Sequence, residues 1–516
     1  MNRKLDLPGF LLFTALLFGG IVRFYPAFAS GFPLNDGGMF YVMTQDLMAN
    51  GFALPDFTNY NNAGIPFAYP PLGFYASALL SALTPGSDLW VFLYLPAFIS
   101  SLLIPVFYFF AREVSSSRLA AAFAALIYAL NPGSFQWPVM GGGITRSFGL
   151  LFMVLFFWQT TRLFKEYRLQ PLLLAVMFGA ATVTSHPQTA FHAVLGGLIL
   201  FLFYGRSKRG LFSAILVGFG VALLTAPWWM TVLQRHGLET FLSAGGTSQR
   251  TLEFYQIVLN LHLPTNLLTL PFLVFFYIGL FVSFRERKFL YVVWILAAYL
   301  SDPRGGAGIA LLSESILAGI GIDQLSVWVS SQKTETVPSS GVRRGGFVIA
   351  LVLFLWFMLG AVITDFRLVN TSLKAGDLDL IEWVNENTSA DATFALATGR
   401  EFSMTDPLQE WFPALTSRTS LTTLQGKEWT LGDAFFPWYE ELVKFQKCRD
   451  AVCVDEWSRR NQAGYDYLIV LIPEETANDE LSDSLRSLGH SVRGSGSYSL
   501  VFESDHGLIF EVKNRP

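Results

Sequence analysis

Eleven runs of mostly apolar residues occupy the first 364 positions, at about 8–29, 89–111, 119–138, 147–163, 170–185, 189–205, 211–230, 266–284, 288–301, 306–330 and 345–364. A helix that crosses a bilayer needs about 20 such residues. The pattern therefore predicts eleven membrane spans, the one at 288–301 being short. Residues 70–83 are apolar too, but 14 residues suit an interfacial or re-entrant helix better than a crossing. They are assigned to a first outer loop of about 30–88. Beyond residue 364 the long runs stop. Short strands are predicted at 393–397, 467–472, 498–502 and 508–512, and helices at 377–386 and 475–488. The fold class expected is thus a polytopic α-helical membrane domain, 1–364, followed by a small α/β domain, 365–516.

Charge gives this plan an orientation. Residues 1–364 carry 21 Lys/Arg and 14 Asp/Glu, a net of +7, whereas residues 365–516 carry 14 and 25, a net of −11. Cytoplasmic loops concentrate Lys and Arg. With the N-terminus (Arg3, Lys4) inside, 16 of the 21 basic residues fall on cytoplasmic loops. Counting 70–83 as a span would put those clusters outside. The other five, Arg23, Arg146, Arg235, Arg250 and Arg304, fall at or near the opposite face. An odd number of spans then places 365–516 outside the cell, on an integral protein of the plasma membrane. A cleaved signal peptide ending at Ala27-Phe28-Ala29 is the competing reading of the first run.

Overall, 14% of the residues are charged and 52% are hydrophobic. Soluble domains carry about 25% charge, so an ordinary cytosolic enzyme, a disordered scaffold and a disulfide-rich secreted module are excluded. The only cysteines, Cys448 and Cys453, form either a local disulfide, as an outside location permits, or two free thiols on a helix. Asn370-Thr-Ser and Asn387-Thr-Ser fit the glycosylation sequon. No phosphate-binding loop, zinc-protease motif or basic–aromatic stripe for nucleic acid occurs.

Charged residues near a bilayer are expensive and mark candidate function. Asp36, just beyond the first run in Leu34-Asn-Asp-Gly-Gly, is placed to cap a helix at 39–48, with Gly37 and Gly38 letting substrate approach the backbone. Asp46 and Asp56 in the same loop read as solvated. Arg146, after Gly141-Gly142-Gly143, is a candidate phosphate ligand or a snorkelling side chain. His186 is a candidate proton shuttle or phosphate donor, and His192 reads as structural. Arg250, in an outer loop of about 231–265, and Arg304, beside Asp302, are further candidate phosphate contacts.

Two stretches carry a resemblance. Residues 95–114 (LPAFISSLLIPVFYFFAREV) and 119–149 (LAAAFAALIYALNPGSFQWPVMGGGITRSFG) look like the second and third spans of the oligosaccharyltransferase catalytic subunit. An acid after the first helix, a loop closing on Tyr69-Pro-Pro-Leu-Gly-Phe-Tyr and a terminal α/β domain complete the pattern. The chain resembles the GT-C superfamily of polyprenyl-linked glycosyltransferases, which also includes protein O-mannosyltransferases and aminoarabinose transferases. It departs from them in three places: residues 140–149 contain no acid, the Trp-Trp-Asp acceptor motif is absent, its nearest stretch being 410–421 (EWFPALTSRTSL), and Gly37 stands where relatives often have a second acid.

The resemblance implies transfer of a sugar from a polyprenyl-phosphate donor to a glycan, lipid or protein acceptor at the outer face. Asp36 would be the general base or acceptor-orienting acid, and Arg146, His186, Arg304, Tyr69 and Arg250 would bind substrate. Its partners would be that donor, the acceptor and membrane lipids, with no nucleic acid. No cofactor is fixed, and a divalent ion, magnesium or manganese, is left open. A lipid or solute transporter and a non-catalytic assembly or sensor protein are the alternative classes.

Overall fold

A helix occupies each of the eleven apolar runs. The computed structural model of the protein describes residues 6–84, 86, 88–246, 269–302, 305–331, 339–472 and 479–513. In chain order its helices are α1 (Leu7–Ser30), α2 (Gly38–Ala49), α3 (Leu72–Leu83), α4 (Leu89–Ser115), α5 (Arg118–Leu130), α6 (Gly143–Glu166), α7 (Leu169–Val183), α8 (Pro187–Tyr204), α9 (Lys208–His236), α10 (Glu239–Gly246), α11 (Leu270–Arg285), α12 (Leu290–Ser301), α13 (Gly306–Ser331) and α14 (Ser339–Val369). Among the described residues, seven are long and apolar enough to cross a membrane: α1, α4, α6, α8, α9, α13 and α14. Helices α5, α7, α11 and α12 sit on predicted runs but have only 12–16 residues. The run at 119–138 is cut short because Asn131 and Pro132 end α5 and open a 3₁₀ turn, with the Asn131 side chain accepting from the Gly133 amide at 2.9 Å.

The main apolar core joins α1, α4, α5, α6 and α13, with α5 buried along its length from Ala120 to Leu130. Arg23 on α1 lies inside this core and not at a membrane face. It donates to Ser100 Oγ at 3.0 Å, Ser134 Oγ at 3.0 Å and the Ala129 carbonyl at 2.6 Å. A buried cation is tolerated only when satisfied in this way.

Above the bundle, the segment after α1 and the segment after α14 run together. Leu34 pairs with Ser372, and the Asn35 amide donates to the Thr371 carbonyl at 2.9 Å. Strands β1 (Phe57–Thr58) and β2 (Ile65–Pro66) form a small hairpin in the first loop. The polypeptide beyond α14 continues as α15 (Ala375–Asn387), β3 (Thr393–Ala397), α16 (Pro407–Thr416), β4 (Thr419–Ser420), α17 (Phe435–Gln446), α18 (Ala451–Asn461), β5 (Tyr467–Leu471), α19 (Asp479–Gly494), β6 (Tyr498–Glu503) and β7 (Gly507–Val512). One five-stranded sheet results, in the order β4-β3-β5-β7-β6. Strands β4, β3 and β5 are parallel, whereas β7 is antiparallel to both β5 and β6.

Alternation along the strands gives the sheet two apolar faces. Ala395, Leu468 and Phe510 face the core shared with Phe445, Trp457 and Leu488; Phe394, Leu396 and Ile469 face the one shared with Leu380, Trp411 and Phe32. Phe32 belongs to the loop after α1, so that second core reaches the membrane part of the chain. Cys448 and Cys453 are joined as a disulfide between α17 and α18.

Candidate functional site

Asp36 follows α1 on a loop held against the start of α6. The Gly141 amide donates to the Leu34 carbonyl at 2.9 Å. This is a close backbone approach: a Cβ on Gly141 would overlap the Asp36 carbonyl, and one on Gly37 would lie 2.7 Å from Gly141 C. Gly37 also has φ +122°, in the region where side chains are strained. The glycines expected to admit substrate to the backbone therefore admit another backbone instead. Gly37→Ala is expected to cost about 1–3 kcal/mol of stability, read as a lower apparent Tm. Gly20→Ala, where nothing lies within 4 Å, should leave Tm unchanged or raise it.

The Asp36 side chain does not cap α2, since the N-cap residue is Gly37 and no side chain of its own closes the turn. Its carboxylate faces α6 instead. Oδ1 accepts from the Gly142 amide at 3.1 Å, and Arg146 Nη2 donates to Oδ1 at 2.9 Å and Oδ2 at 2.8 Å. The two side chains keep 13% and 21% of their surface exposed. Trp137 lies beneath the guanidinium, 5.6 Å from carbon to ring centroid. Arg146 Nε is buried and has no acceptor among the described residues, so the guanidinium is only partly committed to Asp36 there.

Tyr69 and His186 complete the cluster. The Tyr69 ring is 6.2 Å from His186 and 5.9 Å from Trp429, centroid to centroid. Burial raises the Tyr69 hydroxyl pKa, and Asp36 and Arg146 both act on it electrostatically. His186 caps α8, its Nδ1 accepting from the Thr189 amide at 3.4 Å. Burial pushes its pKa down to about 3, and the Arg146 charge adds to the shift. That shift favours the neutral ring, whose Nδ1 is already taken by the Thr189 amide.

An open groove of about 320 Å³, lined by Pro71, Leu72, Tyr75, Thr184, Leu224, Pro227 and Trp228, begins within two residues of Tyr69 and His186 in the chain. A second groove lies at the other end of α4 and α6, among Arg112, Glu113, Arg162 and Lys165. Arg146 and Arg162 are both on α6, so the two ends are about 24 Å apart at 1.5 Å per residue.

Four of the six predicted site residues thus come together: Asp36, Arg146, Tyr69 and His186. Arg250 and Arg304 lie outside the described residues. Asp302, the expected partner of Arg304, accepts from Gln188 Nε2 at 2.8 Å and the Gly305 amide at 3.0 Å, and pairs with His192 Nε2 at 2.9 Å. Asp46 is buried and not solvated, accepting from Thr58 Oγ1 at 2.7 Å and from the Asn59 amide and side chain. Asp56 is exposed and paired with Arg235.

The residue missed from sequence is Glu410 on α16. It is fully enclosed, and its Oε1 accepts from the Gly37 and Met39 amides, each at 3.2 Å. Burial pushes its pKa up to about 8, and the nearby Asp36 charge adds to the rise. Among the described residues no three His, Cys, Asp or Glu side chains converge as a cation site. Asp36 faces a guanidinium and Glu410 Oε1 faces two amides. These residues do not fit a divalent ion.

No protein-family model and no curated protein matches the chain. Its fold is similar to that of ArnT from Cupriavidus metallidurans. The ArnT structure bound to undecaprenyl phosphate gives a TM-score of 0.58 at 14% identity over 98% of both chains, and the apo structure gives 0.56 at 14% over 95% of both. The mycobacterial arabinofuranosyltransferase AftD gives a TM-score of 0.54 at 13% identity, over 96% of this chain and 40% of AftD. The chain therefore shares the fold of these structures, which is the fold that the resemblance implied.

Proposed function

We propose that the protein is a membrane glycosyltransferase. It moves a sugar from a polyprenyl-phosphate donor to a hydroxyl of a glycan, lipid or protein acceptor at the extracytoplasmic face. The observation that carries this reading is the partly exposed Asp36–Arg146 pair at the head of α6, on a fold shared with a protein whose structure holds undecaprenyl phosphate. In the reaction, the acceptor oxygen bonds to the anomeric carbon as the bond from that carbon to the phosphate oxygen breaks. The electron pair leaves with polyprenyl phosphate, and the hydroxyl proton passes to Asp36. Arg146 meets the leaving phosphate through the donors that Asp36 does not occupy, stabilising charge as it develops. Tyr69 and neutral His186 wall the site, and the groove beside Trp228 receives the first part of the lipid tail. Arg250 and Arg304 are further phosphate contacts in this reading.

The proposal extends to topology. The eleven apolar runs carry the chain back and forth across the plasma membrane, the short helices α5, α7, α11 and α12 spanning only part of its thickness, with the N-terminus cytoplasmic and residues 365–516 forming an extracytoplasmic domain. The basic groove, about 24 Å along α6 from Arg146, fits the cytoplasmic boundary, and the disulfide fits an oxidising compartment. In intact cells, Cys448 and Cys453 should resist a membrane-impermeant maleimide until an external reductant is added, and then label. Labelling only after lysis would reverse the orientation.

Ligand recognition is tested by thermal shift. A ligand that binds only the folded state at about 100 times its Kd stabilises by about 2.7 kcal/mol. Undecaprenyl phosphate should raise the apparent Tm of the purified protein and undecaprenol should not. No shift, or equal shifts, would count against a phosphate site.

A further inference from the structure

We infer that Glu410 is a positioning residue for Asp36, through which the layer beyond the last membrane helix sets the geometry of the site. The inference rests on the glycosyl-transfer reading above. Asp36 is held by its side chain from α6 and by its flanking backbone from α16. On its C-terminal side, the Gly37 and Met39 amides donate to Glu410 Oε1. They are two of the orphan donors that open every helix, and α2 has no side-chain cap of its own. On its N-terminal side, the Asn35 carbonyl accepts from Trp411 Nε1 at 3.0 Å. Two consecutive residues of α16 therefore grip positions 35, 37 and 39, on both sides of the acid.

The grip is rigid. The Glu410 carbonyl accepts from Tyr60 Oη at 2.7 Å, and a Cβ on Gly38 would overlap that same carbonyl oxygen. Glu410 and Trp411 are 2% and 0% exposed, and Trp411 packs edge-on to Phe32 at 4.9 Å. Where the first loop has Gly37 instead of a second acid, a carboxyl from α16 thus reaches the same backbone. Its role is the acceptor oxygen it offers, not contact with substrate. Asp36, Glu428 and Tyr60 are the titratable groups that face it, and burial favours its neutral form.

The test compares Glu410→Gln, which keeps an acceptor oxygen, with Glu410→Leu, which has similar bulk and none. The full-length protein in detergent is followed by hydrogen exchange at residues 35–41 and by turnover. Glu410→Leu should expose the Gly37 and Met39 amides to exchange and lower kcat about 100-fold, the cost of a small misplacement of a reacting group, with KM for the donor unchanged. Glu410→Gln should restore both protection and kcat. The Glu410 pKa of about 8 lies above the ordinary 4.3 of a free Glu. Wild-type Tm should therefore fall as pH rises through that interval, and Glu410→Gln should remove this fall.

Unchanged exchange in Glu410→Leu, or equal loss of kcat in both variants, would overturn the inference. Asp36→Asn runs in parallel. If it turns over normally, the glycosyl-transfer assignment fails, while the exchange data still judge the role of Glu410.

Discussion

Asp36→Asn is expected to abolish sugar transfer while the protein still folds and extracts as a single species. The loss should be about 10²–10⁴-fold, the range removed with a general base. Asn keeps the side chain's size and an oxygen for the Gly142 amide. It cannot take a proton from the acceptor and it no longer neutralises Arg146. Apparent Tm and binding of polyprenyl phosphate should stay near wild type, because the phosphate sees Arg146 and the groove. A variant that binds the lipid phosphate and fails to transfer separates chemistry from recognition.

Arg146→Ala should lose both. Removing one preorganised donor to developing charge costs about 10²–10³ in rate, and here the same guanidinium also orients Asp36. The thermal shift with undecaprenyl phosphate should vanish as well. Arg146→Lys should recover little. An ammonium is a compact point charge, whereas the planar fork can hold a carboxylate and a phosphate at once. Full activity in Arg146→Lys would show that charge alone suffices. Full activity in Arg146→Ala would remove Arg146 from the site.

The helix positions were legible because lipid and a packed core select the same thing, a run of about 20 apolar residues. Residues 70–83 are no shorter than the run at 288–301 and were set apart by charge, since a crossing there would put the basic clusters outside; they form the short helix α3. Asn131-Pro132 was the available signal that the run at 119–138 breaks into a helix and a turn. The sheet was readable at the four strands of five or six residues; β4, at two residues, was too short to stand out.

The site was half legible. Asp36 and Arg146 stood out as charges next to glycines at helix ends, but their pairing spans 110 positions and leaves no local mark. Asp36 looked like a helix cap because it precedes α2, yet the cap comes from Glu410, 373 positions beyond Gly37. The stretch 410–421 stood out only as the nearest counterpart of an absent acceptor motif, which gave Glu410 no role of its own. Asp46 looked solvated for the same reason, since the loop that folds over it begins only at Thr58.

Release of polyprenyl phosphate bears most directly on the central claim. Purified wild-type protein and Asp36→Asn are incubated with a panel of polyprenyl-phosphate sugars and candidate acceptors, and the freed lipid phosphate is quantified. Wild type is expected to release it from at least one donor in the presence of acceptor, and Asp36→Asn is not. Equal release by both proteins, or none from any donor by the wild type, would contradict that claim.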